Sequence, residues 1–203
     1  MYWFIIYQRN SKRINEKNDR FQFVIYRENY LSDIECDKLI QALDTEELKE
    51  GELVGDYTDG IINKNVRQTL NIDFRDENLF VKLNNAIKLA NEQYFNYDID
   101  SIDTLRFLKY GIGGTYNWHT DYGRHECSMR KLTAIIQLSD GNDYEGGDFE
   151  FGLTDKEGNG LIKGNRTKGC LIVFPSFLSH RVTPITKGKR YSIITWMEGD
   201  TFR

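Results

Sequence analysis

The chain has 203 residues, 39% of them hydrophobic, 29% charged and 13% aromatic, and a formal net charge of −4. That length suits one domain with embellishments or two small ones. The balance excludes a disordered chain, 2 Pro beside 17 Gly exclude Pro-rich and collagen-like repeats, and the mild acidity argues against a nucleic-acid backbone as main partner.

In chain order, the apolar Met1–Tyr7 is too short to cross a membrane and has no basic residue before it, so it reads as a strand or packing arm in a chain without membrane association. Arg9–Arg20 is polar and reads as an exposed connector, and Phe21–Tyr26 has strand composition. Ser32 and Glu35 form a capping-box pattern ahead of Ile34, Leu39, Ile40 and Leu43, which predicts a helix over Asp33–Asp44 with those four on one face. Gly51–Gln68 contains Gly51, Gly55 and Gly60 and reads as a surface loop or as a lid over a site, with Arg67 a surface arginine. Asn78–Phe95 is predicted helical, with Leu79, Phe80, Leu83, Ala86, Ile87 and Ala90 in one stripe.

From Thr104 the helical period disappears. Short runs rich in strand formers alternate with Gly, Asn and Asp turns: Thr104–Tyr110, Tyr116–Asp121, Arg130–Leu138, Asp148–Gly152, Gly169–Phe174, Ser179–Pro184 and Arg190–Met197. Seven or eight such strands predict a jelly roll or small barrel, so the fold class is α+β, helices first and a β-sandwich after. Tyr116 and Trp118 read as core aromatics, Gly146-Gly147 as a close backbone approach, and Lys163, Arg166 and Lys168 as a solvated basic turn. The cysteines Cys36, Cys127 and Cys170 are odd in number and lack CxxC spacing, which points to buried thiols in a reducing, cytoplasmic setting.

Three histidines are present, His119, His125 and His180. In a strand, residues two apart share a face, so His119 and Asp121 converge. A His-x-Asp pair is by itself either a hydrogen-bonded structural pair or two-thirds of a two-His, one-carboxylate set suited to non-haem Fe(II). His180 supplies a third ligand, and Arg190, ten residues on across a turn containing Gly188, starts a neighbouring strand and points to the same interior. A buried guanidinium calls for a carboxylate partner, and a small dicarboxylate that chelates the metal at its other end satisfies both groups. That is the shape of 2-oxoglutarate. His125-Glu-Cys127 lies in a polar loop and has no anchor at matching distance, so His125 reads as a loop histidine.

Tyr110-Gly-Ile-Gly-Gly-Thr-Tyr-Asn-Trp-His119-Thr-Asp121, then Tyr144-Glu-Gly-Gly147, then Pro175 to Arg190, resemble the Fe(II)/2-oxoglutarate-dependent dioxygenases of the prolyl 4-hydroxylase superfamily, above all its small bacterial and phage prolyl/lysyl-hydroxylase-like members. The resemblance covers Leu105 to Trp196. It implies a double-stranded β-helix (jelly roll) over residues 104–198, buttressed by helices and strands in 1–103, the whole of 1–203 forming one domain. It further implies that His119, Asp121 and His180 are the catalytic Fe(II) ligands, and that Arg190 takes the distal carboxylate of 2-oxoglutarate. Tyr110, Thr133, Gln137 and Trp196 would line the cosubstrate pocket, with Phe149 and Ile135 beside them.

The implied reaction is hydroxylation of a C–H bond with O2, giving succinate and CO2, with ascorbate as an accessory reductant. The implied substrate is a protein or peptide side chain such as proline; a free amino acid or small metabolite is the alternative. Nucleic-acid demethylases of this chemistry usually carry a second Arg six residues after the cosubstrate Arg, where this chain has Trp196. A non-catalytic jelly-roll binding module would be expected to lack a ligand or the Arg. The oligomeric state has no signature in the sequence.

Overall fold

The computed structural model describes residues 3–8, 22–53, 61–154 and 160–201. The connector expected over Arg9–Arg20 lies outside them, as does the middle of the Gly51–Gln68 segment. The apolar start forms strand β1 (Phe4–Gln8), which pairs antiparallel with β2 (Gln22–Arg27). Helix α1 (Asp33–Leu43) begins at the expected capping box: the Ser32 N–H donates to Glu35 Oε2 at 2.7 Å, and the Glu35 N–H donates to Ser32 Oγ at 3.3 Å. Ile34 does not join the buried face as expected; it is exposed, while Cys36 and Leu43 are buried. Ile34 is the second helical residue, on the solvent side of the first turn, whose other side buries Cys36.

Three short strands follow: β3 (Lys49–Glu50), β4 (Arg67–Gln68) and β5 (Leu70–Phe74). β3 and β4 have only two residues each and no sequence signature, whereas β5 alternates Leu70, Ile72 and Phe74 with Asn71 and Asp73, a strand pattern that the sequence reading passed over. Helix α2 (Glu77–Ala90) is capped by Asp76, whose carboxylate accepts from the Leu79 N–H at 2.9 Å. The expected stripe is largely buried: Leu79, Leu83, Ala86, Ile87 and Ala90. The predicted end at Phe95 is reached by a widened turn, Asn91–Phe95, closed by Asn96 at φ +57°.

The remaining strands are β6 (Leu105–Tyr110), β7 (Thr115–His119), β8 (Arg130–Gln137), β9 (Tyr144–Gly146) and β10 (Phe149–Thr154). After them come β11 (Leu161–Lys163), β12 (Leu171–Pro175), β13 (His180–Val182), β14 (Ile185–Gly188) and β15 (Arg190–Glu198). They form an eight-stranded sheet, β1-β2-β12-β8-β15-β6-β5-β3, facing a five-stranded sheet, β11-β10-β13-β7-β4, with β14 and β9 as a separate ribbon. This is the α+β jelly roll expected from the strand texture. The ribbon is tight: Gly146 has φ +71°, and a Cβ there would collide with the Pro184 carbonyl.

Alternation along the central strands assigns each sheet face. Leu105 and Phe107 of β6, Leu132, Ala134 and Ile136 of β8, and Ile193 and Met197 of β15 join one apolar cluster with Leu83 and Ile87 of α2. Leu108 and Tyr110, Ile135, and Ile194 and Trp196 point the other way, into the space between the sheets.

Candidate active site

The register of β13 on β7 sets His180 directly opposite His119, with ring centroids 4.2 Å apart. Strand β7 ends at His119, so Asp121 lies just beyond it and does not share its face by strand alternation. The Asp121 N–H donates instead to the Ser176 carbonyl at 2.9 Å, which turns the carboxylate back toward the two imidazoles. Asp121 Oδ1 is 3.7 Å from His119 Nε2, and Oδ2 is 3.5 Å from His180 Nε2. One donor atom from each of the three residues lies within 4.8 Å of the others.

Each ring is oriented from behind. The His119 Nδ1 is 2.7 Å from the Asn117 carbonyl and the His180 Nδ1 is 2.8 Å from the Leu178 carbonyl, so each Nδ1 donates its proton to a carbonyl and each Nε2 faces the shared point. Burial first, and His180 second, push the His119 pKa down to about 3, which keeps that ring neutral. For Asp121, burial acts upward, but the two imidazoles, the Thr133 hydroxyl and Arg130 together hold its pKa below the usual carboxylate value. Two imidazoles with Nε2 turned inward and one ionised carboxylate converging on a point fit the donor set of a non-haem Fe(II) centre.

Arg190 faces this set across the cavity. The expected hairpin adjacency does not hold: His180 sits in the five-stranded sheet and Arg190 in the eight-stranded one, with β14 between them in sequence. They reach one interior because the two sheets face each other, and both line the same cleft. Arg190 is buried, donates to Gln137 Oε1 at 2.9 Å and lies 5.5 Å from the Tyr110 ring centroid. Its described partners include no carboxylate, a costly arrangement for a buried guanidinium until an anion arrives.

Of the remaining expected pocket residues, Tyr110, Ile135, Phe149 and Trp196 line the cleft, whereas Thr133 and Gln137 stand behind it. Thr133 Oγ1 donates to Asp121 Oδ2 at 2.7 Å. Gln137 accepts from Arg190 and donates through Nε2 to the Tyr144 hydroxyl at 3.0 Å, which fixes which way its amide points. Both act on a cleft residue rather than on the cleft itself.

A model of the 2OG-Fe(II) oxygenase superfamily matches residues 105–198. The PKHD-type hydroxylase of Klebsiella pneumoniae subsp. pneumoniae is 30% identical over 164 residues, which cover 76% of this chain and 71% of that protein. The chain belongs to the 2OG-Fe(II) oxygenase superfamily. The PKHD-type hydroxylase of Acidovorax ebreus is 33% identical over 100 residues, 46% of this chain and 42% of the relative, so this match spans under half of the relative's length. Among solved structures, a prolyl hydroxylase from Trichoplax adhaerens, in complex with a hypoxia inducible factor oxygen degradation domain peptide fragment, has a TM-score of 0.70. It is 20% identical, covering 86% of this chain and 83% of that one, and shows the shared fold.

Several arginines of this 2OG-Fe(II) oxygenase differ from their sequence reading. Arg67 is not a surface residue: it is 8% exposed, lines the cleft and lies 4.7 Å over the Tyr116 ring, itself stacked on His119 at 3.5 Å. Gly51 makes the room, since a Cβ there would approach Arg67 Nε to 2.5 Å. Arg130 and Arg106, at the starts of β8 and β6, also line the cleft. The basic turn is not free in solvent: Lys163 and Arg166 pair with Asp148, and Lys168 with Asp37. Trp118 is exposed rather than a core residue, with Arg181 4.7 Å over its ring. His125 is exposed, at φ +53°, and is absent from the cleft lining. The three cysteines are free and buried, and no described helix is long and apolar enough to cross a membrane.

Proposed function

We propose that this chain is an Fe(II)- and 2-oxoglutarate-dependent hydroxylase in which His119, Asp121 and His180 hold the metal and Arg190 takes the distal carboxylate of 2-oxoglutarate. The observation that carries the reading is the placement of a buried guanidinium without a carboxylate partner across one cleft from a complete two-His, one-carboxylate set. Bound iron and 2-oxoglutarate supply O2-dependent oxidation of a C–H bond, with succinate and CO2 as coproducts. The protein's own share is placement. The Asn117 and Leu178 carbonyls hold both rings with Nε2 forward, Thr133 holds Asp121, and Gln137 with Tyr110 holds the Arg190 fork. Apolar walls from Leu108, Ile135, Phe149 and Ile194 keep water from the reacting bond.

The division of labour follows: residues 104–198 hold the metal and cosubstrate within one domain, and 1–103 support them, with Arg67 reaching into the cleft. A peptide side chain such as proline is the favoured substrate, supported by the peptide bound to the Trichoplax relative of the same fold. Ascorbate would serve as accessory reductant, in a cytoplasmic setting that suits three buried free thiols.

Protein loaded with Fe(II) and given 2-oxoglutarate and O2 should release succinate, slowly even without a prime substrate. His180→Ala should abolish that release while the circular dichroism spectrum stays folded. Unchanged turnover in the variant would sink the ligand assignment.

A further inference from the structure

The cleft is far more cationic than the chain. Its walls carry Arg67, Arg106, Arg124, Arg130 and Arg190 against one carboxylate, Asp121, in a protein of net charge −4. Arg106 is neutralised by a two-pronged pair with Asp73, Nε to Oδ1 at 2.5 Å and Nη2 to Oδ2 at 3.0 Å. Arg190 is assigned above to the cosubstrate. Arg124 is exposed at the rim and is engaged elsewhere, so Arg67 and Arg130 are the inner cations of the cleft, and neither has an ion-pair partner among the described residues. Arg67 Nη1 donates to the Glu52 carbonyl at 2.8 Å, and Arg130 Nη1 donates to the Asp121 carbonyl at 3.5 Å.

Arg130 is half-buried, stacked 3.9 Å over the Trp196 ring. Its Nε and the Trp196 Nε1 are both buried donors without an acceptor. Unsatisfied buried donors are rare, and two on neighbouring cleft residues mark a place where a guest supplies the acceptor. This place is separate from the Arg190 end. Trp196 is six residues along the same strand from Arg190, about 20 Å at strand rise, and its ladder partner is Thr133, whereas Arg190 pairs with Tyr110. A cosubstrate held at Arg190 therefore leaves Arg130 free. Arg67 comes from the facing sheet and lines the same cleft, so each wall carries a cation without an ion-pair partner.

We infer that the prime substrate presents a carboxylate beside the carbon that is oxidised, and that Arg130, with Trp196 beneath it and Arg67 opposite, binds that carboxylate. The inference rests on the reading of the site as an oxygenase centre. The carboxylate can come from an acidic side chain flanking the target residue in a peptide, or from the terminal carboxylate of a free amino acid. Both offer the paired oxygens that a guanidinium fork takes.

The test uses iron-loaded full-length protein with 2-oxoglutarate and O2 in three arms, with the product read by mass spectrometry as gain of one oxygen. The first arm is a library of capped, proline-centred peptides with randomised flanks and Asp or Glu fixed within two residues of the proline. The second is the same library with Asn or Gln fixed there, and the third is a mixture of the free amino acids. The acid-flanked arm should exceed the amide arm by about tenfold, the worth of a charge-assisted hydrogen bond; product in the third arm alone would assign the carboxylate to a free amino acid. Arg130→Gln should erase the preference for Asp or Glu over Asn or Gln, and Arg130→Lys should keep part of it. Arg67→Gln should weaken it, which guards against a folding defect in the Arg130 variants. Equal product from the first two arms, or no product in any arm, would overturn the inference. Succinate release without peptide is scored in the same protein: if it persists, only the carboxylate inference falls, and if it is absent, the oxygenase reading falls with it.

Discussion

The two faces of the eight-stranded sheet are built from the same strands and solve opposite problems. On β15, Ile193 and Met197 join the helix-backed cluster, while Arg190, Ser192, Ile194 and Trp196 line the cleft. On β8, Leu132, Ala134 and Ile136 pack against the helices, while Thr133 and Gln137 hold Asp121 and Arg190 from behind. The helix face is almost wholly apolar and gains stability by excluding water. The cleft face keeps buried charge and unpaired donors, which lower stability until a ligand compensates them. One face stabilises the fold and the other holds a site ready, and a residue shift of one along any central strand would exchange them.

Substitutions that separate the faces test this contrast. Phe107, fully buried on the helix face and stacked on Tyr191 at 5.7 Å, should show the largest effect: Phe107→Ala should cost about 3–5 kcal/mol in urea unfolding. An equal loss from a cleft substitution would blur the distinction. Arg190→Ala should behave in the reverse way, with the ligand-free fold unchanged or more stable in the same urea experiment. The 2-oxoglutarate concentration for half-maximal succinate release should rise by 2–5 kcal/mol equivalent, about thirtyfold or more, and Fe(II) affinity should move far less. Equal losses of iron and 2-oxoglutarate would remove Arg190 as anchor.

A smaller effect is expected at Thr133, whose hydroxyl is the link from the sheet to Asp121. Thr133→Val keeps the shape and should weaken Fe(II) affinity by about 10–100-fold in a metal titration. No change would show that the Ser176 backbone contact alone orients Asp121. The smallest effect belongs to the helix side and appears only with pH. Hydrogen bonds from the Ser32 backbone N–H and hydroxyl, the largest causes, hold the Glu35 pKa down to about 2. A depressed folded pKa stabilises the native state above the unfolded value of 4.5 and that contribution is lost as pH falls toward about 2. Unfolding midpoints of Glu35→Gln and the parent chain should therefore differ at neutral pH and converge near pH 2; a constant gap would exclude the capping box as its source.

The helices and the His119, Asp121 and His180 cluster were legible because their signals stand out along the chain. Ser32 and Glu35 announce α1 within one turn, and the stripe Leu79 to Ala90 announces α2. His119, Asp121 and His180 stand out since histidine is scarce in this chain. The short strands β3 and β4 were not legible, because two-residue pairings arise from neighbours and not from propensity, whereas the alternation of β5 was legible and was passed over. For the same reason Arg67 read as a surface residue, although its strand pairs with β7 and carries it into the cleft. Asp121 was placed correctly beside His119 for an incomplete reason, since the strand ends first and a distant carbonyl, Ser176, completes the turn.

By itself the sequence determined the fold class and singled out His119, Asp121, His180 and Arg190 as residues that share one interior, since residue type, alternation and spacing can be read along the chain. Only the tertiary structure decided which side chains face the cleft and which stand behind it. Thr133 and Gln137 share a strand face with cleft-lining Ile135, yet their hydroxyl and amide are consumed by Asp121 and Arg190. Likewise Arg130 gained its place from packing over Trp196, a partner 66 positions away in sequence that the β8–β15 register brings alongside. Contacts of that range are set by how sheets stack, and no local pattern in the chain records them.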